Sequence, residues 1–444
     1  MVCYISGYSQ QISSALPLLT LNEALHIALE QNYGIQIAHN TLLIADNNSR
    51  GFVGLGAAGM LPTVNLVGGW NESRDNVQQR FFNGNVQERA GARTDRTNAS
   101  IQLSWTLFDG LQMFAQRERL EELQRQSTVA LRHAIETTIA QVMTAYVSTV
   151  EQSVQYHALG KALELSRERL AIAEAKARIG SASELDVHNA RVDLHADSAA
   201  YVRQEAVVVN AKLTLLQILG NVYRYAKAQN TESITAFRVE DSLIVGRNFV
   251  LSELQERLRT RNALLHIARL DNTLAHIAIR QAESQHLPTI NATANYNFAA
   301  LDAEAGVIQT AQSNGLSFGI TAQVNIFNGF NIQRQIENAR VSALSAELQY
   351  QDLENRLQTS LVQTLRIYNN SRMLIELEQE NTRLARIAAA VALEKFRLGT
   401  FSSLDLRQVQ QNYIRAESRL ITALADAKRA EIEIMRLVGD LVRE

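Results

Sequence analysis

The chain carries two copies of the same series of short motifs. Each copy opens on Leu-Pro-Thr, passes through an apolar-Phe-(Asp/Asn)-Gly motif and an Arg-apolar-Gly motif, and ends on an apolar-Gly pair. The copies are Leu61–Thr63 and Leu287–Thr289, Leu107–Gly110 and Ile326–Gly329, Arg178–Gly180 and Arg397–Gly399, and Leu219–Gly220 and Val438–Gly439. In the last three pairs the copies are 219 positions apart, so about a hundred residues of each half align without insertion or deletion. Such regularity means that one supersecondary unit occurs twice.

Composition narrows the class of protein. Only three of the 444 residues are prolines, and Pro62 and Pro288 are two of them, so long helices can run between the motifs. The 43 Lys and Arg almost balance the 45 Asp and Glu, which gives a net charge of −2 and no basic surface for a nucleic acid. Cys3 is the single cysteine, which excludes disulfide frameworks and cysteine-based zinc sites.

The N-terminal residues 1–19 are interpreted as an extended segment, the remnant of a secretory signal whose start lies upstream. They lack the basic segment and the long apolar core of a complete signal. No lipidation motif surrounds Cys3, so an incidental cysteine is favoured over a lipid anchor. Further along the chain, no apolar run reaches the length of about 18 residues that a membrane-spanning helix needs.

Long helices account for most of the chain. The capping box Thr20-Leu21-Asn22-Glu23 starts a helix that we expect to run to about residue 57. The stretch 110–178 has apolar residues every three or four positions, and it would be about 100 Å long as a helix. The other predicted helical stretches are 184–219, 251–285, 329–397 and 402–438.

The lengths of these stretches favour an elongated helical wall. The stretches 184–219 and 251–285 together have nearly the length of 110–178. In the same way, the N-terminal helix and 402–438 together have about the length of 329–397. The chain thus has four helical segments of nearly equal length, the last of which combines the N-terminal and the C-terminal helix. Such segments indicate an elongated cylinder and not a globule. On periodicity alone, the core of a soluble helical bundle would be favoured.

Each half also contains one predicted β-hairpin, at 61–109 and at 287–328. In the strand candidates 101–107, 289–298 and 317–326, apolar residues alternate with Asn, Gln, Ser and Thr, almost without charge. The Leu-Pro-Thr copies are 226 positions apart, so seven additional residues lie between the β-like stretches of the first copy. Alternation fits a half-exposed sheet on a soluble core, or a transmembrane barrel with lipid on one face and a wet lumen on the other.

The charge-poor polar face favours the barrel. Four strands are too few to close a barrel and an open edge cannot exist in lipid, so several chains must combine their hairpins. The residues predicted to face lipid are Leu103, Trp105, Tyr296, Phe298, Phe318, Ile320 and Val324.

The order of these features resembles that of the outer membrane efflux proteins of the TolC type. The resemblance rests on the capped helix, the duplicated Leu-Pro-Thr hairpins, the long helices and the Arg-apolar-Gly turns, and it covers residues 20–440. It implies a mixed α and β membrane protein, in which a trimeric, twelve-stranded transmembrane β-barrel with four strands per chain continues into a long periplasmic α-helical barrel. The domains are then repeat 1 at 20–220, an equatorial segment at 221–250 and repeat 2 at 251–444.

For the function, the resemblance implies a passive exit duct in the cell outer membrane of a diderm bacterium. A homotrimer in outer membrane lipid would receive substrates from an inner-membrane transporter through a periplasmic adaptor (membrane fusion) protein, in a tripartite efflux or type I secretion system. The adaptor would contact the tip turns at Arg178, Ile179, Gly180, Arg397, Leu398 and Gly399. The alternative is a soluble periplasmic coiled-coil scaffold, or the adaptor subunit of such a pump.

The resemblance also implies a periplasmic gate beside the tips. Where relatives carry two aspartates three residues apart, this chain has Asp405 and then Gln408. Relatives also hold the tip shut through a tyrosine, an arginine and a first-repeat aspartate. Here Asp186 matches the aspartate, but Phe396 and Phe401 occupy the other two positions.

On this interpretation, three Asp405 carboxylates around one axis attract multivalent cations, and closure rests on packing of the phenylalanines more than on ion pairs. Alternatively, Asp186 and Asp405 only occupy the first turn of a helix, where its dipole favours a carboxylate.

Nothing in the sequence supports catalysis, a cofactor or a metal site. The metalloprotease, nucleophile-elbow and phosphate-loop motifs are absent. His188 and His195 lie near Asp193 but are about two helical turns apart, so a solvated helix face is favoured over a shared metal ion.

Overall fold

The structure is a computed structural model that describes residues 17–220, 235–240 and 242–442. Most of the N-terminal segment predicted at 1–19, and much of the equatorial segment predicted at 221–250, lie outside the described residues. The chain forms two compact units. The first takes in the chain up to His39, Ala130–Leu265 and Leu353–Glu444, and the second takes in Asn40–Val129 and His266–Asp352. Each unit therefore draws on both sequence repeats.

Helices and strands follow the order that the sequence predicts. The helices are α1 (Leu21–Gln31), α2 (Tyr33–Ser49), α3 (Gly51–Ala57), α4 (Gln112–Arg178), α5 (Glu184–Ile218), α6 (Leu251–Arg261), α7 (Ala263–Glu283), α8 (Asn331–Arg397) and α9 (Ser403–Leu437). The strands are β1 (Thr63–Arg80), β2 (Val86–Asp109), β3 (Thr289–Ala303) and β4 (Thr310–Gln323). Of the helices in the described ranges, none is both long enough and apolar enough to cross a membrane.

Two helices that the sequence predicts as continuous are interrupted at an asparagine. Asn32 separates α1 from α2, and Asn262 separates α6 from α7. Each asparagine caps the following helix through its side-chain oxygen, at 2.8 Å from the Gly34 amide and at 3.0 Å from the Leu265 amide. Each also donates its side-chain amide to the last carbonyl of a neighbouring helix, Asn32 to Ile218 at the end of α5 and Asn262 to Leu437 at the end of α9. The same helix break therefore occurs once in each repeat.

The N-terminal helix has a second interruption. Arg50 separates α2 from α3, and Gly51 after it has a φ of 51°. The predicted single helix from Thr20 to about residue 57 is therefore wrong, and three shorter helices cover that stretch. Its start is as predicted, because Thr20 and Glu23 form both bonds of the capping box.

The four strands form one antiparallel sheet in the order β1-β2-β3-β4. Residues that pair across antiparallel strands share a face, and the register pairs Leu103 with Ala294 and Ala294 with Phe318. The same holds for Trp105, Ala292 and Ile320. The polar residues of the neighbouring positions, such as Gln102, Asn295 and Ser317, pair with one another on the opposite face. From about Ala99 to Trp105 and at the paired positions of β3 and β4, one face of the sheet is therefore apolar and the other polar, whereas further along Asp95 and Asp302 pair on the first face.

The two hairpins differ in length. β1 and β2 pair as far as Arg80 and Val86, whereas β3 and β4 pair only to Asp302 and Thr310. Since Thr94 lies opposite Ala303, the first hairpin extends beyond the second. The strand predicted to reach residue 328 ends instead at Gln323, so Val324 lies outside the sheet.

The strand-to-helix junctions explain why the apolar-Phe-(Asp/Asn)-Gly motif recurs. Asp109 accepts a hydrogen bond from the Met113 amide at 3.1 Å, and Asn328 accepts one from the Asn331 amide at 3.1 Å. After each motif glycine, the next residue also has a left-handed φ, 73° at Leu111 and 60° at Phe330. The Asp or Asn side chain thus caps the long helix that follows.

Within the first unit, α4 and α9 pack side by side. Ala140 and Val147 of α4 form a buried cluster with Ala425, Ile432 and Met435 of α9. A second cluster joins α4 to α1 and α5, through Val142, Val150, Ala28 and Leu215 among others. Helix α4 therefore has buried contacts with both repeats of the same chain.

Candidate functional site

The two tip turns have the same backbone geometry. Gly180 has a φ of 78° and Gly399 a φ of 81°, values in the left-handed region that favours glycine. The amide of Ser181 bonds the carbonyl of Lys176 at 2.9 Å, and the amide of Thr400 bonds that of Lys395 at 3.0 Å. These 6→1 bonds, together with the bonds of the glycine amides, form the Schellman motif that ends a helix.

The residues around each glycine project into solvent. The side chains of Ile179 and Leu398 are 79% and 78% exposed, and Arg178 and Arg397 are exposed as well. An apolar and a basic side chain at each turn are therefore available to another protein. All six predicted adaptor-contact residues lie in these two turns.

The helices that follow the two tip turns, α5 and α9, each begin at a serine cap. Ser183 and Asp186 form a complete capping box, in which Asp186 accepts from the Ser183 amide at 3.1 Å and the Asp186 amide donates to Ser183 Oγ at 3.2 Å. Ser402 accepts from the Asp405 amide at 3.1 Å and donates its hydroxyl to Asp405 Oδ2 at 2.6 Å. Both aspartates thus serve helix capping, and a further role of Asp405 in gating stays a prediction.

The two predicted gate phenylalanines belong to one apolar cluster. Phe396 is buried with Ala392 and Leu406, and Phe401 packs against that cluster together with Ile172 of α4. The second tip is therefore held to a first-repeat helix by apolar contacts. Gln408, the remaining predicted gate residue, is exposed and donates to Asn412 at 3.1 Å.

Ionic contacts also reach the second tip, which the sequence did not predict. Lys176 of α4 donates to the Phe396 carbonyl, and its ammonium lies 4.3 Å from the centre of the Phe396 ring. Arg397 bonds Glu168 of α4 and Glu394 of its own helix. Hydrogen bonding to Glu168 raises the pKa of Arg397. The Lys176 ammonium thus caps the carboxyl end of α8, where cations are favoured.

A cluster of charged side chains, one fully buried and three partly buried, lies on the helices that meet at the tips. Arg407 of α9 bonds both oxygens of Asp197 on α5, at 2.6 and 2.8 Å, and its Nε lies 3.6 Å from Asp193. Asp193 also pairs with Arg169 of α4, and Asp197 accepts from Ser166. The cluster therefore joins three helices and both repeats.

The two histidines that the sequence places near Asp193, His188 and His195, are both exposed on α5. Within the described part of the chain, no group of three or more His, Cys, Asp or Glu side chains is placed to hold a metal ion.

Comparison with known families decides the identity of this architecture. The family model of the outer membrane efflux proteins matches residues 28–221 and 254–440, more than half of the chain. The chain belongs to the outer membrane efflux protein family. This membership places the protein in the outer membrane and makes it a passive channel and not an enzyme.

Individual relatives and solved structures agree with this membership. TolC of Vibrio cholerae is 23% identical over 394 residues, which cover 86% of this chain and 83% of that protein. The outer membrane efflux protein BepC of Brucella suis is 23% identical over 437 residues, with coverages of 96% and 86%.

Among solved structures, the outer membrane channel CmeC of Campylobacter jejuni superposes with a TM-score of 0.76 at 16% identity, covering 95% of this chain and 85% of that one. The outer membrane protein VceC of Vibrio cholerae gives 0.73 at 14% identity, covering 94% and 96%. The four-stranded sheet with long helices is therefore the fold of this family.

Proposed function

We propose that this outer membrane efflux protein is the exit duct of a tripartite efflux or type I secretion system. Three copies form the duct, an inner-membrane transporter supplies its substrates, and a periplasmic adaptor connects the two at the tip turns. The observation that carries the proposal is the sheet, because its faces and its edges both require particular surroundings.

The apolar face of the sheet is exposed in one chain. Trp105, Tyr296, Phe318 and Ile320 are all exposed large side chains, and burying such a face in lipid is strongly favourable. The opposite face carries Asn, Gln, Ser and Thr, which suit a water-filled lumen. This division supports a membrane-embedded wall and disfavours the alternative of a soluble scaffold or adaptor subunit.

The edges of the sheet supply the argument for a trimer. Among the described strands, β1 pairs with β2 alone and β4 with β3 alone, so each chain presents two edges. An open edge in hydrocarbon is prohibitively costly. Three chains that join β4 of one copy to β1 of the next give twelve strands, within the range of closed membrane barrels.

The tips support the adaptor as partner. Two equivalent glycine turns per chain give six per trimer, each with an exposed apolar and an exposed basic side chain. Such a ring offers repeated sites to a partner that also has repeated hairpins.

The proposal is tested by extracting the protein from membranes and measuring its native mass in detergent. We expect it to require detergent and to have the mass of three chains. A stable, water-soluble monomer would overturn the proposal. Photo-crosslinkers at Ile179 and Leu398 should then capture a periplasmic adaptor in cells, whereas a crosslinker at exposed Met373 on the shaft of α8 should not.

A further inference from the structure

Arg407 forms a largely buried ionic contact between the two helical hairpins of one chain. It lies in the second turn of α9, and its side chain is 13% exposed. Asp197, which accepts both of its hydrogen bonds, and Asp193, which is an ion-pair partner at 3.6 Å, lie on α5, about 210 residues earlier in the chain. A planar guanidinium that forms two parallel bonds to a carboxylate fixes direction as well as distance.

The charges of the cluster are balanced but incompletely bonded. Two guanidinium groups, Arg169 and Arg407, face two carboxylates, Asp193 and Asp197. Arg169 is completely buried, and its Nε and Nη1 have no hydrogen-bond partner among the described residues. An arginine is charged at every physiological pH, and hydrogen bonding to Asp197 raises the pKa of Arg407 further.

A cluster of this kind contributes little net stability but specifies one arrangement. Removing charges from water offsets most of the attraction between them, so replacement by apolar residues is often neutral. The direction of the bonds is a different matter, because any slide of α9 along α5 separates Arg407 from Asp197 and leaves both charges poorly solvated. An apolar contact, in contrast, tolerates small slides at little cost.

We propose that Arg407 is a positioning residue that sets the height of the second tip turn relative to the first. It does so by locking α9 to the Asp193–Asp197 face of α5 and to Arg169 of α4. The inference deepens the proposed function, since it concerns how the two adaptor-facing turns of one chain are held level.

The experiment compares variants that separate position from stability. Arg407→Leu combined with Asp197→Leu removes one cation and one carboxylate, and it leaves Arg169 paired with Asp193. Arg407→Lys keeps the charge but loses the two parallel bonds. The matched control is Arg419→Leu with Glu378→Leu, which removes a 2.8 Å pair between α9 and α8 within the second repeat.

The position of the tips is measured by spin labels at Leu185→Cys and Leu404→Cys in a Cys3→Ser background. Both leucines are exposed and equivalent in the two repeats. Labelled chains are diluted with unlabelled ones, so that most trimers carry a single labelled chain. Double electron–electron resonance then gives the distribution of distances within one chain.

We expect the distance distribution of the Arg407→Leu/Asp197→Leu protein to broaden at least twofold, while its thermal unfolding temperature in detergent stays within a few degrees of the parent. Arg407→Lys should broaden it less, and the Arg419/Glu378 control should not broaden it. A distribution of parental width in both Arg407 variants overturns the inference, and so does a broadening of equal size in the control. If the double variant does not fold, Arg407→Lys decides.

Planar-bilayer recordings separate this inference from the proposed function. If parental trimers conduct and the double variant shows a wider spread of conductance levels, both stand. If parental trimers conduct and the double variant matches them in conductance and in spin-label distances, only the positioning role fails. If parental trimers form no pore, the proposed duct fails whatever the labels report.

Discussion

The four long helical segments of the first unit arise from one duplicated design, yet they differ sharply in burial. In the inner pair, α4 from Ala130 onwards and α9, Leu404 is the one large apolar side chain that is exposed. In the flanking pair, α5 and α8 from Leu353 onwards, twelve such side chains are exposed: Leu185, Val192, Val202, Val207, Val362, Ile367, Met373, Leu374, Leu377, Leu384, Ile387 and Val391.

The difference follows from the order of the helices. The inner pair has neighbours within the chain on both sides, because α4 packs against α9 and each packs against the other helix of its own hairpin. The flanking helices pack against this pair, α5 against α4 and α9, and α8 against α9 and α4, but they also expose many apolar side chains. An exposed apolar stripe on a helix normally marks a surface that another chain covers. Duplication thus produced equivalent helices. Whether their apolar side chains are buried by the same chain or by the next copy depends on whether the helix lies in the inner or the flanking pair.

The largest effect on the stability of the chain is expected when a buried side chain of the inner pair is shortened. Ile432 of α9 is 1% exposed, and Ile432→Ala should cost about 2–5 kcal/mol through lost burial and the cavity that remains. Leu377→Ala on α8 should leave the fold of the chain intact and instead reduce the fraction of trimer. Thermal unfolding by circular dichroism and native mass in detergent distinguish the two outcomes. Equal loss of chain stability in both variants would contradict the distinction between inner and flanking helices.

A comparable contrast is expected between the two faces of the sheet. Ile320→Arg places a charge on the apolar face and should cost about 2–4 kcal/mol in the membrane, whereas Thr321→Arg on the polar face should be milder and change conductance instead. Folding into lipid vesicles and bilayer conductance measure the two effects. If both variants insert poorly to the same degree, our assignment of the faces is incorrect.

The sequence alone predicted the regular elements well, because their signals are local. The periodicity of 110–178 and the motif ends placed α4, α5, α8 and α9 within about two residues of their observed bounds. It missed the helix breaks at Asn32 and Asn262, because an asparagine within a helical pattern costs little by itself. At each break the asparagine side-chain amide donates to a distant carbonyl, that of Ile218 or Leu437. A partner so far away in the sequence cannot be predicted from the neighbouring residues.

In the candidate site, too, the features with a local sequence pattern could be predicted and those that depend on distant residues could not. The tip glycines and the capping aspartates were predictable, since a φ above zero and a first-turn carboxylate each have a local sequence pattern. The buried charges were not. Asp193 and Asp197 are one helical turn apart and so share a face of α5, but their burial depends on Arg407, which lies in the other repeat.

A smaller effect on stability is expected at the tip turns. Gly180→Val together with Gly399→Val forces a β-branched residue into a left-handed φ, which costs roughly 1–2 kcal/mol at each site. Because both turns lie at the ends of helices, assembly and membrane insertion should persist while export falls. Ala substitution of Ser181, which keeps the turn backbone, is the control. Unchanged export in the double valine strain would remove the tips from the adaptor interface.

The smallest change in stability, and the most selective one in function, is expected at the two capping aspartates. Asp186 completes its capping box by accepting from the Ser183 amide and hydroxyl, whereas Asp405 has the Ser402 hydroxyl as its cap partner. Asparagine can still accept these bonds, so either substitution should cost well under about 1 kcal/mol.

The two aspartates should differ in conductance. The predicted periplasmic gate would bring the three exposed Asp405 carboxylates of a trimer near one axis, where they would attract multivalent cations, while Asp186 accepts both bonds of its cap. We therefore expect Asp405→Asn to weaken block by divalent or trivalent cations and to shift cation selectivity, and Asp186→Asn to change little. The measurement is single-channel conductance in planar bilayers during titration with Mg²⁺ and a trivalent cobalt amine complex. Block of parental strength in the Asp405 variant would locate the constriction elsewhere, and equal weakening in both variants would attribute the effect to helix capping.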